Sequence, residues 1–260
     1  MQLIDSHCHL DFPAFAPDLD AVLARAEAAG VVALVTIGTR LREADRVLAL
    51  AERYPQVWCT VGVHPHYVDD EPLATAERLV ALARHPKVVG IGETGLDTWL
   101  GQASWDAQVA SLAAHIEAAR ETQLPLVIHS VRQDAAMAAT LEREHARGAF
   151  PVVMHSFSGG AALARTCLDL GHALSFSGLL SYPEQAATRA LVAGLPAEQL
   201  LVETDAPSLA PMPDPDARNE PARIGETVAL LSGLRGLAPE EIARQTRANF
   251  RRIFARCTPP

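Results

Sequence analysis

The chain has 260 residues, 49% of them hydrophobic and 20% charged, with a formal net charge of −9. That length suits one large single-core domain or two smaller ones, and barrels of alternating strands and helices run to about 250 residues. The negative balance argues against a broad electrostatic grip on duplex nucleic acid, so any substrate phosphate must be met locally, by metal and a few cations.

Short β-branched runs alternate with longer Ala/Leu/Arg/Glu-rich runs along the sequence. A strand is expected at residues 3–9, then a helix at 19–29, where apolar residues recur at helical spacing and Gly30 is a stop signal. A strand at 31–37 is followed by a helix at 42–53 that ends before Pro55. Further strand and helix pairs are expected at 57–63 and 72–84, at 88–93 and 104–121 (capped by Ser104), and at 126–129 and 133–147. The pattern continues at 152–155 and 161–170, at 173–176 and 184–193, and at 200–203 with helices at 222–234 and 239–254. Eight strands each followed by a helix predict a parallel sheet, and eight such units fit a single-domain (β/α)8 barrel over residues 1–260 better than an open doubly wound sheet. The one linker-like loop, residues 207–221, follows the eighth strand and would lie over the mouth of a barrel.

Cys8, Cys59, Cys167 and Cys257 form no CxxC pair and read as reduced thiols in a cytoplasmic protein. The N-terminus carries no basic segment followed by an apolar run, and no apolar run is long enough to span a bilayer, so neither a signal peptide nor a membrane segment is expected.

Polar residues recur at the ends of these strands. His7 and His9 end the first and, at a strand's period of two, share a face. Two imidazoles there are costly to desolvate unless something binds their lone pairs, and a divalent cation does so. His64 ends the third strand, Glu93 the fourth, His129 the fifth, His155 the sixth and Asp205 the eighth. In a barrel the carboxyl ends of the strands converge on one mouth. Six ligands are too many for one tetrahedral zinc but suit two cations sharing a carboxylate. The expected assignment is His7, His9 and Asp205 on one cation, His129 and His155 on the other, and Glu93 between them. Mixed imidazole and carboxylate donors favour zinc or manganese over magnesium. Two such cations lower the pKa of a shared water. Asp205 is the best candidate to take its proton, the alternative being a ligand with no proton role. Glu203 and Asp5 either orient ligand histidines or are buried, paired carboxylates.

Together, Ile4-Asp5-Ser6-His7-Cys8-His9-Leu10-Asp11, Gly62-Val63-His64-Pro65-His66, Gly90-Ile91-Gly92-Glu93-Thr94-Gly95-Leu96-Asp97, Leu124-Pro125-Leu126-Val127-Ile128-His129-Ser130, His155-Ser156-Phe157-Ser158-Gly159, Glu203-Thr204-Asp205-Ala206-Pro207 and Arg218-Asn219-Glu220-Pro221 resemble the TatD family of metal-dependent hydrolases, within the amidohydrolase-like barrels. The resemblance runs the length of the chain. It implies a dinuclear site on His7, His9, Glu93, His129, His155 and Asp205, and metal-dependent deoxyribonuclease activity of the end-trimming kind in the cytoplasm.

The departures concern substrate. Members that act on DNA commonly carry aromatic and basic residues after Gly-Leu-Asp, where this chain reads Thr98-Trp99-Leu100-Gly101. The loop before Arg218, usually basic, is Pro213-Asp214-Pro215-Asp216-Ala217, and the arginine that often follows the strand-five His-Ser is displaced by one to Arg132. His64, His66, Arg218 and Asn219 are candidate phosphate contacts, or loop hydrogen-bonding residues. Trp99 and Phe157 either stack a base at the mouth or pack in its rim. His85, His115, His145 and His172 lie away from strand ends and read as surface or packing residues.

The expected function is a phosphodiesterase acting on DNA ends or single strands, as a monomer with no obligate protein partner. The alternative keeps the site but moves the bond to a carboxylic ester or amide, such as an aminoacyl ester on tRNA, and the missing basic residues motivate it. A metal-loaded scaffold without catalysis has no support, since every ligand is present.

Overall fold

Residues 126–128, 152–154 and 200–202 are unbroken apolar runs, the signature of strands covered on both faces. The computed structural model, which describes residues 1–100 and 103–258, shows why. Eight strands form one parallel sheet in chain order: β1 (Leu3–Cys8), β2 (Val31–Thr36), β3 (Val57–Val61), β4 (Val88–Asp97), β5 (Leu126–Val131), β6 (Val152–Met154), β7 (Ala173–Phe176) and β8 (Leu200–Val202). Helices α1 (Leu19–Ala28), α2 (Ala44–Arg53), α3 (Ala76–Leu82), α4 (Trp105–Thr122), α5 (Asp134–Arg147), α6 (Ala161–Asp169), α7 (Ala186–Val192), α8 (Ile224–Arg235) and α9 (Pro239–Ile253) follow the strands in turn. The seam closes at the rim: Asp205 N donates to His7 O at 2.9 Å and His9 N to Ala206 O at 2.7 Å. The expected TIM-type barrel is the fold.

The core has two layers. Ile4, Val35, Trp58, Val89, Val127, Val153, Ala173 and Leu201, from all eight strands, fill the barrel interior, with Phe250 of α9 and Phe254 beyond it packed against them. Leu3, Cys8, Leu34, Val57, Ile91, Leu126, Val152 and Leu200 pack outward against the helices. Strict alternation would put Ile4 and Cys8 on one side. They lie on opposite sides because the β1 register shifts between Asp5 and Cys8, ahead of His9.

Element ends differ from the expectation in instructive ways. β4 runs four residues past Glu93, pairing Gly95 with His129 and Asp97 with Val131 of β5. Helix α3 begins at Ala76, because the Thr75 hydroxyl accepts from Arg78 N at 3.3 Å and caps it, which leaves residues 72–75 outside the helix. Ser104 caps α4 as expected, accepting from Ala107 N at 3.3 Å. The segment from residue 184 opens as a 3-10 turn at Pro183–Gln185 before α7. Gly62, just past β3, lets the chain there pass close to β4, since a methyl group at Gly62 would overlap the Gly92 backbone.

His115 of α4 holds the end of β3 in place. Val63 N donates to its Nε2 at 3.0 Å, and its Nδ1 donates to Ser111 O at 2.7 Å. Burial pushes its pKa down to about 4, against the opposing bond to Ser111. The unfolded chain takes up that proton near pH 6.5, so stability from this group is present above 6.5 and is lost as pH falls towards 4, by about 3 kcal/mol. His115→Leu should cost about 1–3 kcal/mol at neutral pH, by leaving Val63 N–H unpaired, and should lose correspondingly less on acidification. Urea melts at pH 7.5 and 4.5 check this; a variant as acid-sensitive as the wild type refutes it.

Candidate metal centre

All six expected ligands meet at the carboxyl rim of the barrel. His7 lies in β1 with His9 just beyond it, Glu93 and His129 lie in β4 and β5, and His155 and Asp205 follow β6 and β8. Each is less than a tenth exposed except His129, which is partly buried. The two oxygens of Glu93 face different partners. Oε2 lies 3.5 Å from His7 Nε2 and 3.9 Å from His9 Nε2, while Oε1 lies 3.0 Å from His155 Nε2 and 3.2 Å from His129 Nδ1.

The spacing tests whether cations fit. A cation about 2.0–2.1 Å from each donor sets tetrahedral donor–donor edges of about 3.3–3.4 Å. On the Oε2 side, His7 Nε2 and His9 Nε2 are 3.3 Å apart, and Asp205 Oδ1 is 3.4 and 3.2 Å from them. On the Oε1 side, His129 Nδ1 and His155 Nε2 are 3.3 Å apart. The His7, His9 and Asp205 donors on one side and the His129 and His155 donors on the other match these edges, and the donor chemistry suits zinc or manganese. His7, His9 and Asp205 form one candidate group and His7, Glu93 and His155 another.

The electrostatics agree. Burial opposes protonation of His155, yet Glu93 and Glu203 raise its pKa well above the usual imidazole range. Burial also disfavours a charged Glu93, yet His155, His64 and His7 hold its pKa well below the carboxylate range. The cluster thus carries a negative field that attracts positive charge.

Two carboxylates fix candidate ligand histidines from behind. His155 Nδ1 donates to Glu203 Oε1 at 3.1 Å, so Glu203 is a buried, paired carboxylate whose partner is one of the candidate ligand histidines. His129 Nε2 donates to Asp97 Oδ2 at 3.0 Å, which leaves Nδ1 its lone pair on the Glu93 side. Asp97 was not expected in the site; it sits in the stretch of β4 beyond the anticipated end. Glu93 and Asp97 have the same parity, and reading Gly-Leu-Asp as a continuing strand would have found it. Asp5 braces the backbone instead. Its carboxylate accepts from Thr204 N at 3.0 Å, Thr204 Oγ1 at 2.6 Å and His7 N at 3.2 Å, and burial pushes its pKa up to about 7 against those bonds.

The candidate substrate contacts divide. His64 and His66 line a cavity of about 980 Å³ that also contains Glu93, His129, His155 and Asp205. His64 Nε2 is 3.6 Å from Glu93 Oε1, and His66 Nε2 donates to Asp97 Oδ2 at 2.7 Å. His64, His66 and His129 form a third candidate group. His129 has no lone pair left for it, since Nδ1 faces Glu93 and Nε2–H is on Asp97. Arg218 and Asn219 do not line the cavity. Arg218 donates to Asp18 Oδ1 and Oδ2 at 2.6 and 2.8 Å. Asn219, 1% exposed, donates to Thr204 O and Ser208 O, both at 2.8 Å, and so braces the loop after β8. Phe157 is buried against Phe176, whereas Trp99 is 57% exposed. Gly101 lies outside the described residues. His85 pairs with Glu52, and His145 and His172 pack together near Phe150, all away from the rim.

The family model for TatD related DNase matches residues 4–255. The chain belongs to the TatD related DNase family. A metal-dependent hydrolase named TatD from Mycobacterium tuberculosis is 41% identical, covering 97% of each chain. A Salmonella typhimurium relative named 3'-5' ssDNA/RNA exonuclease TatD is 35% identical, covering 97% of this chain and 98% of its own. The crystal structure of YjjV, a TatD homologue from Escherichia coli, superposes with a TM-score of 0.90 at 34% identity, over 97% of this chain and 98% of that one. This TatD-family chain is a metal-dependent hydrolase. No described helix is long and apolar enough to cross a membrane.

Proposed function

We propose that this chain is a two-cation phosphodiesterase that trims single-stranded DNA or RNA from an end. The observation that carries this reading is Glu93, whose two oxygens face separate histidine groups. The exonuclease name of the Salmonella relative supports the substrate class. Bound there, two divalent cations would make a water acidic and neutralise charge on the phosphoryl group. His7, His9 and Asp205 would hold one, His129 and His155 the other, and Glu93 both. Asp205 takes the attacking water's proton: Oδ1 faces His7 and His9, while Oδ2 has no partner among the described residues. His64 and His66 contact the phosphate, His66 held in place by Asp97. The reading includes a monomer acting in the cytoplasm.

The acidic loop at residues 213–217 favours a second reading, hydrolysis of a carboxylic ester or amide such as an aminoacyl ester on tRNA. One experiment separates them. Purified protein should release nucleotides from single-stranded DNA in manganese, lose this activity to a chelator and regain it when metal returns. Turnover confined to carboxylic esters would reject the phosphodiesterase reading.

A further inference from the structure

One part of the cavity plays no role in the chemistry above. Arg132, just past β5 at φ +56, lies with its guanidinium carbon 3.2 Å from the centre of the Trp99 ring. Both residues line the cavity that holds the metal ligands. Among the described residues, Arg132 is the only lysine or arginine that does, alongside the carboxylates Glu93, Asp134, Glu184 and Asp205. Asp134 is occupied, accepting from Gly160 N at 2.7 Å. Among the described residues no carboxylate comes within ion-pair reach of Arg132. The two loops that carry the pair are joined and anchored. Gln133 Nε2 donates to Thr98 Oγ1 at 2.6 Å, and Trp99 N donates to Asp97 Oδ1 at 2.7 Å. The same Asp97 holds His129, so the platform is keyed to a ligand of the metal centre.

A guanidinium stacked on an indole keeps its N–H edges free for an anion. At 57% exposure, much of the indole also stays open. Together they offer one planar cation and one aromatic face, side by side, in an otherwise acidic cavity. We infer that Arg132 and Trp99 form a subsite for a nucleotide adjoining the one being cleaved, Arg132 holding its phosphate and Trp99 stacking its base. This rests on the nucleic-acid reading above, and it makes the pair determinants of substrate length rather than of bond cleavage.

The test uses metal-loaded protein and two probes. One is a short single-stranded oligodeoxythymidylate with cleavage-resistant phosphorothioate links, its binding followed by fluorescence anisotropy. The other is bis(p-nitrophenyl) phosphate, a diester with no neighbouring nucleotide. Arg132→Ala and Trp99→Ala should each weaken oligonucleotide binding by about ten-fold or more. Arg132→Ala should also lower the salt dependence of binding by about one charge, which Trp99→Ala should not. Turnover of the small diester should stay within about two-fold of wild type, the expectation for residues that make no contact with the reacting bond. Unchanged oligonucleotide affinity in both variants, or no binding by the wild type, overturns the inference. Wild-type binding without any phosphodiester turnover overturns the nuclease reading and leaves the subsite standing.

Discussion

Replacing Glu93 with alanine should lower metal-dependent turnover by about 10³-fold or more, the scale of several kcal/mol of lost charge stabilisation. Among the described residues, Glu93 is the one carboxylate within 4 Å of His7, His9, His64, His129 and His155 together. Its removal takes a donor from both groups and leaves buried imidazoles without their counter-charge. Elemental analysis of protein prepared without chelator should find two divalent cations per wild-type chain and fewer in Glu93→Ala. Far-UV circular dichroism should show the barrel intact, since no core apolar contact is lost. Full metal content together with near-wild-type turnover would sink the assignment of Glu93 as the shared carboxylate.

The second large effect is expected from residues behind the ligands. Asp97→Asn presents an amide where His129 and His66 both donate, at 3.0 and 2.7 Å, so His129 loses the fixed tautomer that keeps Nδ1 free for the metal side. Glu203→Gln does the same to His155 and also loosens the bond from Ser156 N at 2.6 Å. Each should weaken metal affinity or activity by about 10–100-fold. Competition against a calibrated chelator reads the affinity directly, and excess metal should restore part of the lost turnover. Wild-type affinity in both variants would show that the carboxylates serve the fold and not the metal centre.

The barrel and the cluster of histidines and carboxylates at its rim were legible in the sequence because both are periodic. Apolar runs recur, and a histidine or carboxylate closes each of six of them, a pattern that geometry converts into one rim. What was not legible depended on register and on long-range partners. Asp97 was missed because β4 was expected to stop at Glu93, while β5 pairs with four further residues of it. Arg218 and Asn219 have the right chemistry for phosphate, but only the folded chain shows Arg218 turned back onto Asp18 and Asn219 spent on two carbonyls. The split between Trp99 and Phe157 is of the same kind: both are aromatic residues in rim loops, and the packing of Phe157 on Phe176 is a tertiary fact.

The seam between β1 and the segment after β8 carries a consequence for biosynthesis. His7 and His9 are translated well before Asp205, and they meet only when Asp205 N pairs with His7 O and His9 N with Ala206 O. So wide a sequence separation delays assembly of that half of the candidate centre until the segment carrying Asp205 has emerged. A nascent chain that stops short of Asp205 therefore lacks one side of the candidate centre, and the hydrolase cannot act on its substrate during the earlier part of its own synthesis.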